Sequence, residues 1–232
     1  MIALTHYHAV YTTEHQLLED VKYPQRVHWI PETYARAKTG MHYPPHKLGA
    51  SVTEQELVNT IRNTPSKKTA LILAAGNAHF AGIPTGHPDN QLDYSYKFLP
   101  LTLTQVYAGR IGHLLGTTDY IATDASACAS SIKTMMDVQT LICLYGFTRV
   151  IVVAVEDAVN NLVLDFFGES KACLSKRMEE ETGKVPSAFD SKNGQFYVGQ
   201  GAAMAVFESD EGLDISGFTP KAYLMGAYSA SE

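Results

Sequence analysis

The sequence predicts a layered α/β fold, a sheet with helices on both faces. Several runs, among them TALILAAG at 69–76 and RVIVVAVED at 149–157, are apolar almost throughout and do not alternate. Continuous runs of this kind suit strands covered on both sides. Segments with helical spacing of apolar residues lie between them, and glycines stand where those segments should stop. Alternation of the two element types is the signature of a layered α/β architecture.

Taken in order, IALTHYHAVYT at 2–12 is β-branched, aromatic and partly alternating, as a strand should be. TEQELVNTIRN at 53–63 reads as a helix. Thr53 and Glu56 have the spacing of a capping box, and Leu57, Val58 and Ile61 form an apolar face. The strand at 69–76 follows. LTLTQVYAGRIGHLLG at 101–116 is a helix with Gly116 placed for a C-cap. TDYIATDAS at 118–126 is strand-like, and the helix after it carries Ile132, Met135, Met136, Leu141 and Ile142, with Gly146 able to end it. The run at 149–157, GAAMAVFES at 201–209 and KAYLMGAYS at 221–229 complete the predicted strands. Residues 76–98 and 183–200 read as loops, rich in turn-forming residues. Neither a repeat nor a low-complexity linker interrupts residues 1–232, so the sequence predicts one domain.

Composition narrows the function classes. Hydrophobic residues make up 45% of the 232 residues and charged residues 18%, ordinary for a soluble globular protein. A formal net charge of −6 offers no basic field to nucleic acid or anionic membrane. The longest apolar runs are far too short to span a bilayer. The N-terminus lacks the pattern of a signal peptide, and the expected compartment is the cytoplasm. Three cysteines, Cys128, Cys143 and Cys173, have neither the number nor the spacing of a disulfide framework or a thiolate zinc site. No metal is expected. His6 and His8 alternate on the first strand, too few ligands for a metal.

Cys128 is the candidate nucleophile. It stands among Ala125, Ser126, Ala127, Ala129, Ser130 and Ser131, at the junction of a strand and a helix. Backbone N–H groups at a helix start carry partial positive charge, favour a thiolate, and can donate to an oxyanion. The small neighbours leave room for a turn and a substrate. The plainer reading is a small buried thiol. Cys143, between Ile142 and Leu144, reads as core, and Cys173 lies in a polar helix-like segment.

Two blocks carry a resemblance. Residues 107–157 hold a glycine-ended helix, a strand, an alanine–cysteine–alanine–serine core around Cys128, a long helix, and an apolar strand ending at Glu156. Residues 188–209 hold Phe189, Asp190, Gly199, Gly201, Ala202 and Glu208 ahead of and along a further strand. Together they resemble β-ketoacyl synthases of the thiolase superfamily, clearly from about residue 100 to 208 and weakly towards the start. Two departures are Gln195, which separates Gly194 from Phe196, and Gln200, where glutamate is usual. The resemblance implies a thiolase-like fold, one α/β half with a mixed sheet. It also implies an acyl-accepting Cys128, no bound cofactor and, as partner, an acyl carrier protein or acyl thioester.

The histidines that assist condensation in such enzymes, and a glycine–phenylalanine–glycine turn that completes the oxyanion hole, belong to the family's C-terminal half. This sequence has no histidine after His113. Acyl transfer is therefore the expected reaction, and condensation is expected only with the histidine-bearing half supplied. An N-terminal half alone exposes the helix after Cys128, so a homo-oligomer or a complementary C-terminal half should cover it. By resemblance, DYIATDAS at 119–126 should pair with its copy in a dimer. The alternatives are a non-catalytic ketosynthase-like partner that positions a complete enzyme, and a cysteine hydrolase, which lacks an identifiable base. The region 76–98 and the break at 165–185 are candidate walls of an acyl tunnel.

Overall fold

The computed structural model describes residues 1–11, 54–76, 103–117, 119–157, 200–228 and 230. Among these the elements run β1 (Ile2–Tyr11), α1 (Glu54–Asn63), β2 (Thr69–Ala74), α2 (Thr104–Leu115), β3 (Tyr120–Asp124), a single 3-10 turn (Ala127–Ala129), α3 (Ser130–Cys143), β4 (Arg149–Asp157), β5 (Gln200–Ser209), α4 (Asp210–Ser216) and β6 (Ala222–Tyr223).

The six strands form one mixed sheet in the order β3-β2-β4-β5-β1-β6. β2 lies parallel to both β3 and β4. β5 is antiparallel to β4 and to β1, and β6 closes the far edge antiparallel to β1. The apolar runs read as doubly covered strands are so. One face of the sheet presents Leu71 and Leu73, Ile151, Val153 and Val155, and Met204 and Val206 to α1 and α2. The other presents Ala70 and Ile72, Val150 and Val152, and Phe207 to α3. The period-two alternation of strand side chains divides each run between the two faces. The ladder register keeps the layers aligned, with Leu71 beside Ile151 and Ile151 beside Val206.

The helices follow their apolar phase. Leu57 and Ile61 anchor α1, while the expected capping residue Thr53 lies outside the described residues. In α2 the buried positions are Tyr107, Ala108, Ile111, Gly112 and Leu115. Gly116 ends it as expected, at φ 71, with the Thr117 N–H donating to the Gly112 carbonyl at 2.8 Å. α3 buries Ser130, Thr134, Val138, Leu141 and Ile142 on one stripe and leaves Ile132 55% exposed.

Three findings depart from the sequence reading. Cys143 is exposed, not core. It is the last residue of α3, and at about 100° per residue it falls off the stripe that Thr134, Val138, Leu141 and Ile142 define. The predicted strand at 221–229 shrinks to Ala222–Tyr223, after which the chain leaves the edge of β1 and crosses to α3, where the Ala227 N–H donates to Gln139 at 3.0 Å. α4 is a helix the sequence reading does not include. Ser209 caps it by accepting from the Gly212 N–H at 3.0 Å, and Asp210 and Glu211 oppose its dipole.

Candidate active site

Parallel strands gather their carboxyl ends on one side of a sheet, and crevices form there where connections diverge to opposite sides. β2 is flanked by β3 and β4, so the ends of these three strands make such a place. The Ala75 N–H extends the pairing by donating to the Asp124 carbonyl at 2.9 Å. Cys128 stands four residues past the end of β3, in the middle of the 3-10 turn, and is an exposed free thiol. α3 begins two residues later. Its N-cap position, Ala129, supplies no side-chain hydrogen bond.

The turn has an uncommon backbone. Ala127 adopts φ 50, the left-handed region that costs a non-glycine residue about 1–2 kcal/mol. Alanine, with only a Cβ, is among the less penalised residues there. The surroundings hold it in place. The Ala127 carbonyl accepts from the Ser130 hydroxyl at 2.7 Å and from the Ser130 N–H, and the Ala129 N–H donates to the Ser126 carbonyl at 3.1 Å. Gly76, just past β2, packs beneath. A Cβ placed on it would lie 2.6 Å from Glu156 Oε2 and 3.1 Å from the Ala127 carbonyl oxygen. Glycine at 76 therefore lets the end of β4 and the cysteine turn close over the end of β2.

Asp124, the last residue of β3, organises the approach to the turn. Its side chain is 1% exposed and accepts from the Ser126 N–H at 2.9 Å and from the Lys133 ammonium, which reaches back from the first turn of α3. Burial pushes the Asp124 carboxyl up, but the hydrogen bonds from Lys133 and Ser126 outweigh it and hold it below the usual value of 3.8. The same hydrogen bond raises Lys133 above 10.5. One turn further along α3, burial and then the Asp124 charge raise Asp137, with Lys133 opposing.

Sequence reasoning singled out Cys128 and missed Asp124, Lys133 and Gly76. An acid ending a strand and a lysine one turn into the next helix were a legible signal, nine residues apart. Glu156, noted as a motif position, lies across Gly76 from Ala127. Of the histidines, His6 packs edge-on against Phe218, ring centroids 4.4 Å apart, and His113 is in the last turn of α2, ahead of the start of β3. Neither shares the end of the sheet that carries Cys128. His79, His87, Cys173, Phe189, Asp190 and the candidate tunnel walls beyond residue 76 lie outside the described residues.

A polar cleft opens at the opposite end, lined by Arg62, Thr64, Ser66, Asp119 and Arg149 among others. Arg149 is committed there. Its Nε donates to Glu208 at 2.8 Å, and its terminal nitrogens donate to the carbonyls of Thr64 at 3.0 Å and Pro65 at 3.2 Å. Among the described residues, no group of three histidine, cysteine or acidic side chains is placed to hold a metal, and no helix is long and apolar enough to cross a membrane.

Comparison with known proteins places the fold and the family. The family model for Beta-ketoacyl synthase, N-terminal domain, matches residues 50–212, beginning well before the motif-based limit near residue 100. Curated proteins yield no significant match. Solved structures do. A ketosynthase from module 6 of the bacillaene synthase of Bacillus subtilis 168 aligns at a TM-score of 0.55 and 14% identity, over 94% of this chain and 41% of its own. A β-ketoacyl synthase from Burkholderia phymatum STM815 aligns at 0.61 and 14%, over 94% and 61%. A type II polyketide synthase acyl-carrier protein in complex with its ketosynthase bound to the hexaketide gives 0.63 and 14%, over 94% and 60%. The chain thus spans 41–61% of these three structures, and the fold it shares with them is one α/β half of a thiolase-like ketosynthase. With more than half of its residues inside the family match, this chain belongs to the β-ketoacyl synthase N-terminal domain family.

Proposed function

We propose that this chain is the cysteine-bearing unit of a ketosynthase of fatty-acid or polyketide biosynthesis, in which Cys128 accepts an acyl group from a carrier-protein thioester. One observation carries the reading: an exposed thiol in a turn between a parallel strand and the start of α3, in a chain of this family. The Cys128 thiolate attacks the thioester carbonyl, and the oxyanion that forms draws on donors other than the Ala129 and Ser130 N–H groups, which the turn itself uses. Collapse expels the phosphopantetheine thiolate, which takes up the proton that Cys128 gave up, and leaves an acyl-cysteine. Decarboxylative condensation then needs the histidine-bearing C-terminal half, since removing even one oxyanion donor costs about 10²–10³ in rate in well-studied hydrolases. No metal or cofactor takes part.

The partners follow. The donor is an acyl carrier protein or other acyl thioester. The exposed side of α3, which carries Ile132 in its first turn, is covered by a complementary C-terminal half or by a second copy of the chain. β3 is the sheet's edge strand and dimerises with its copy, which satisfies an edge otherwise open in the described residues. Residues 1–232 act as one domain in the cytoplasm.

The test is incubation with an acyl-carrier thioester, or with the ketosynthase inhibitor cerulenin, followed by intact mass. A one-to-one adduct that disappears in Cys128→Ala supports the reading. Absence of any adduct across pH favours a second reading, a non-catalytic partner of a complete ketosynthase.

A further inference from the structure

We infer that Lys133 is a positioning residue for Cys128: by pairing with Asp124 it seats the cysteine turn and cancels the negative charge nearest the thiol along the chain. The inference rests on Cys128 being the nucleophile of the proposed reaction. Asp124 is buried, four residues before Cys128, and its carboxylate holds the Ser126 N–H inside the same turn. A buried carboxylate in that place opposes formation of a thiolate close by, because like charges in a poorly solvated site repel. Lys133 removes the conflict. It projects from the first turn of α3, ties the helix to the end of β3 through Asp124, and remains 50% exposed. Its ammonium thus serves two ends, a geometric one for the left-handed turn at Ala127 and an electrostatic one for the sulfur. Among the described residues, the other charged groups placed near the turn are Glu156, across Gly76 on β4, and Asp137, one turn along α3 from Lys133. Both are acids, so Lys133 is the cation that balances an otherwise negative neighbourhood among these four groups.

The experiment follows the rate of iodoacetamide alkylation of Cys128 by intact mass from pH 6 to 9.5, in the full chain carrying Cys143→Ser and Cys173→Ser. Lys133→Met is expected to displace the rate–pH profile upward by about half a pH unit, and to slow alkylation at pH 7 about threefold. Lys133→Arg keeps the charge and is expected to retain the parent profile. Asp124→Asn combined with Lys133→Met removes both charges and is expected to bring the midpoint back. A Lys133→Met profile that superimposes on the parent overturns the inference. So does a double variant that stays displaced, since the effect is then packing and not charge. Should Lys133→Met fail to fold, Asp124→Asn alone leaves the ammonium unopposed and is expected to move the profile downward; an unmoved profile there is equally fatal. Acyl transfer from a carrier thioester is scored separately. Shifted alkylation without acyl adducts would sink the proposed function and keep the role of Lys133, and adducts with an unmoved profile would do the reverse.

Discussion

The two ends of the parallel strands each carry an acid held by a cation, and they use the pair differently. At the start of β4, Arg149 and Glu208 are both buried, with side chains 2% and 1% exposed. Every direction is occupied: Arg149 also donates to the carbonyls that follow α1, and the second oxygen of Glu208 accepts from Ser216 at 2.6 Å. At the far end of β3 the acid Asp124 is buried, but Lys133 is half in solvent and the chain between them makes an exposed turn around Cys128. The closed pair stitches α1, β4, β5 and α4 together. The open pair holds a turn against its own backbone preference while leaving a thiol accessible.

The largest expected effect tests the closed end. Arg149→Met leaves Glu208 as a buried, unpaired charge, and denaturant unfolding should show a loss of about 3–5 kcal/mol. If the loss is no greater than for a surface substitution, the buried end is not the rigid one. A change at the open end should be smaller in stability and larger in reactivity. Gly76→Ala forces its new Cβ against Glu156 and the Ala127 carbonyl. A cost of about 1–3 kcal/mol is expected from overpacking, with slower Cys128 alkylation at unchanged pH. Unaltered alkylation would separate Gly76 from the cysteine turn.

pH sharpens the contrast further. His6 lies by Phe218 at the Arg149 end, with its Nδ1 buried and without a hydrogen-bond partner among the described residues. Burial, then the charges of Lys221 and Arg149, hold its pKa below the usual 6.5. The unfolded chain therefore binds a proton near pH 6.5 that the fold accepts only at lower pH. His6 makes no demand above 6.5, and stability falls as pH drops from there towards the folded value. His6→Phe should flatten this slope, read as urea midpoints at pH 7.5 and 5.5; an equal slope in both proteins would show that His6 is not its source. Smallest of all, Cys128→Ala should change stability by less than about 0.5 kcal/mol, since the side chain is exposed. A larger loss would mean the thiol is packed and the turn is not open.

Much of the fold was legible because it depends on local chemistry. The apolar runs of β2 and β4 and the glycine that ends α2 follow from side-chain period and backbone freedom, which act within a few residues. α4 was legible too, in Ser209, Asp210, Glu211 and Gly217, but its short length hid it. Cys143 was misread because apolar neighbours were weighed instead of helical phase. The site was half legible. A small-residue turn between a strand and a helix marked Cys128, whereas nothing in an alanine announces the left-handed backbone at Ala127.

By itself, then, the sequence determined the element types, the doubly covered centre of the sheet and the residue on which the chemistry is proposed to fall. Each of these is set by propensity, periodicity or a short motif. Only the tertiary structure decided that Arg149 meets Glu208 across 59 residues and that Gly76 admits Ala127 and Glu156 above it. Those contacts arise from strand order and register. Both are settled by the simultaneous burial of both faces of the sheet, which no local stretch of chain contains.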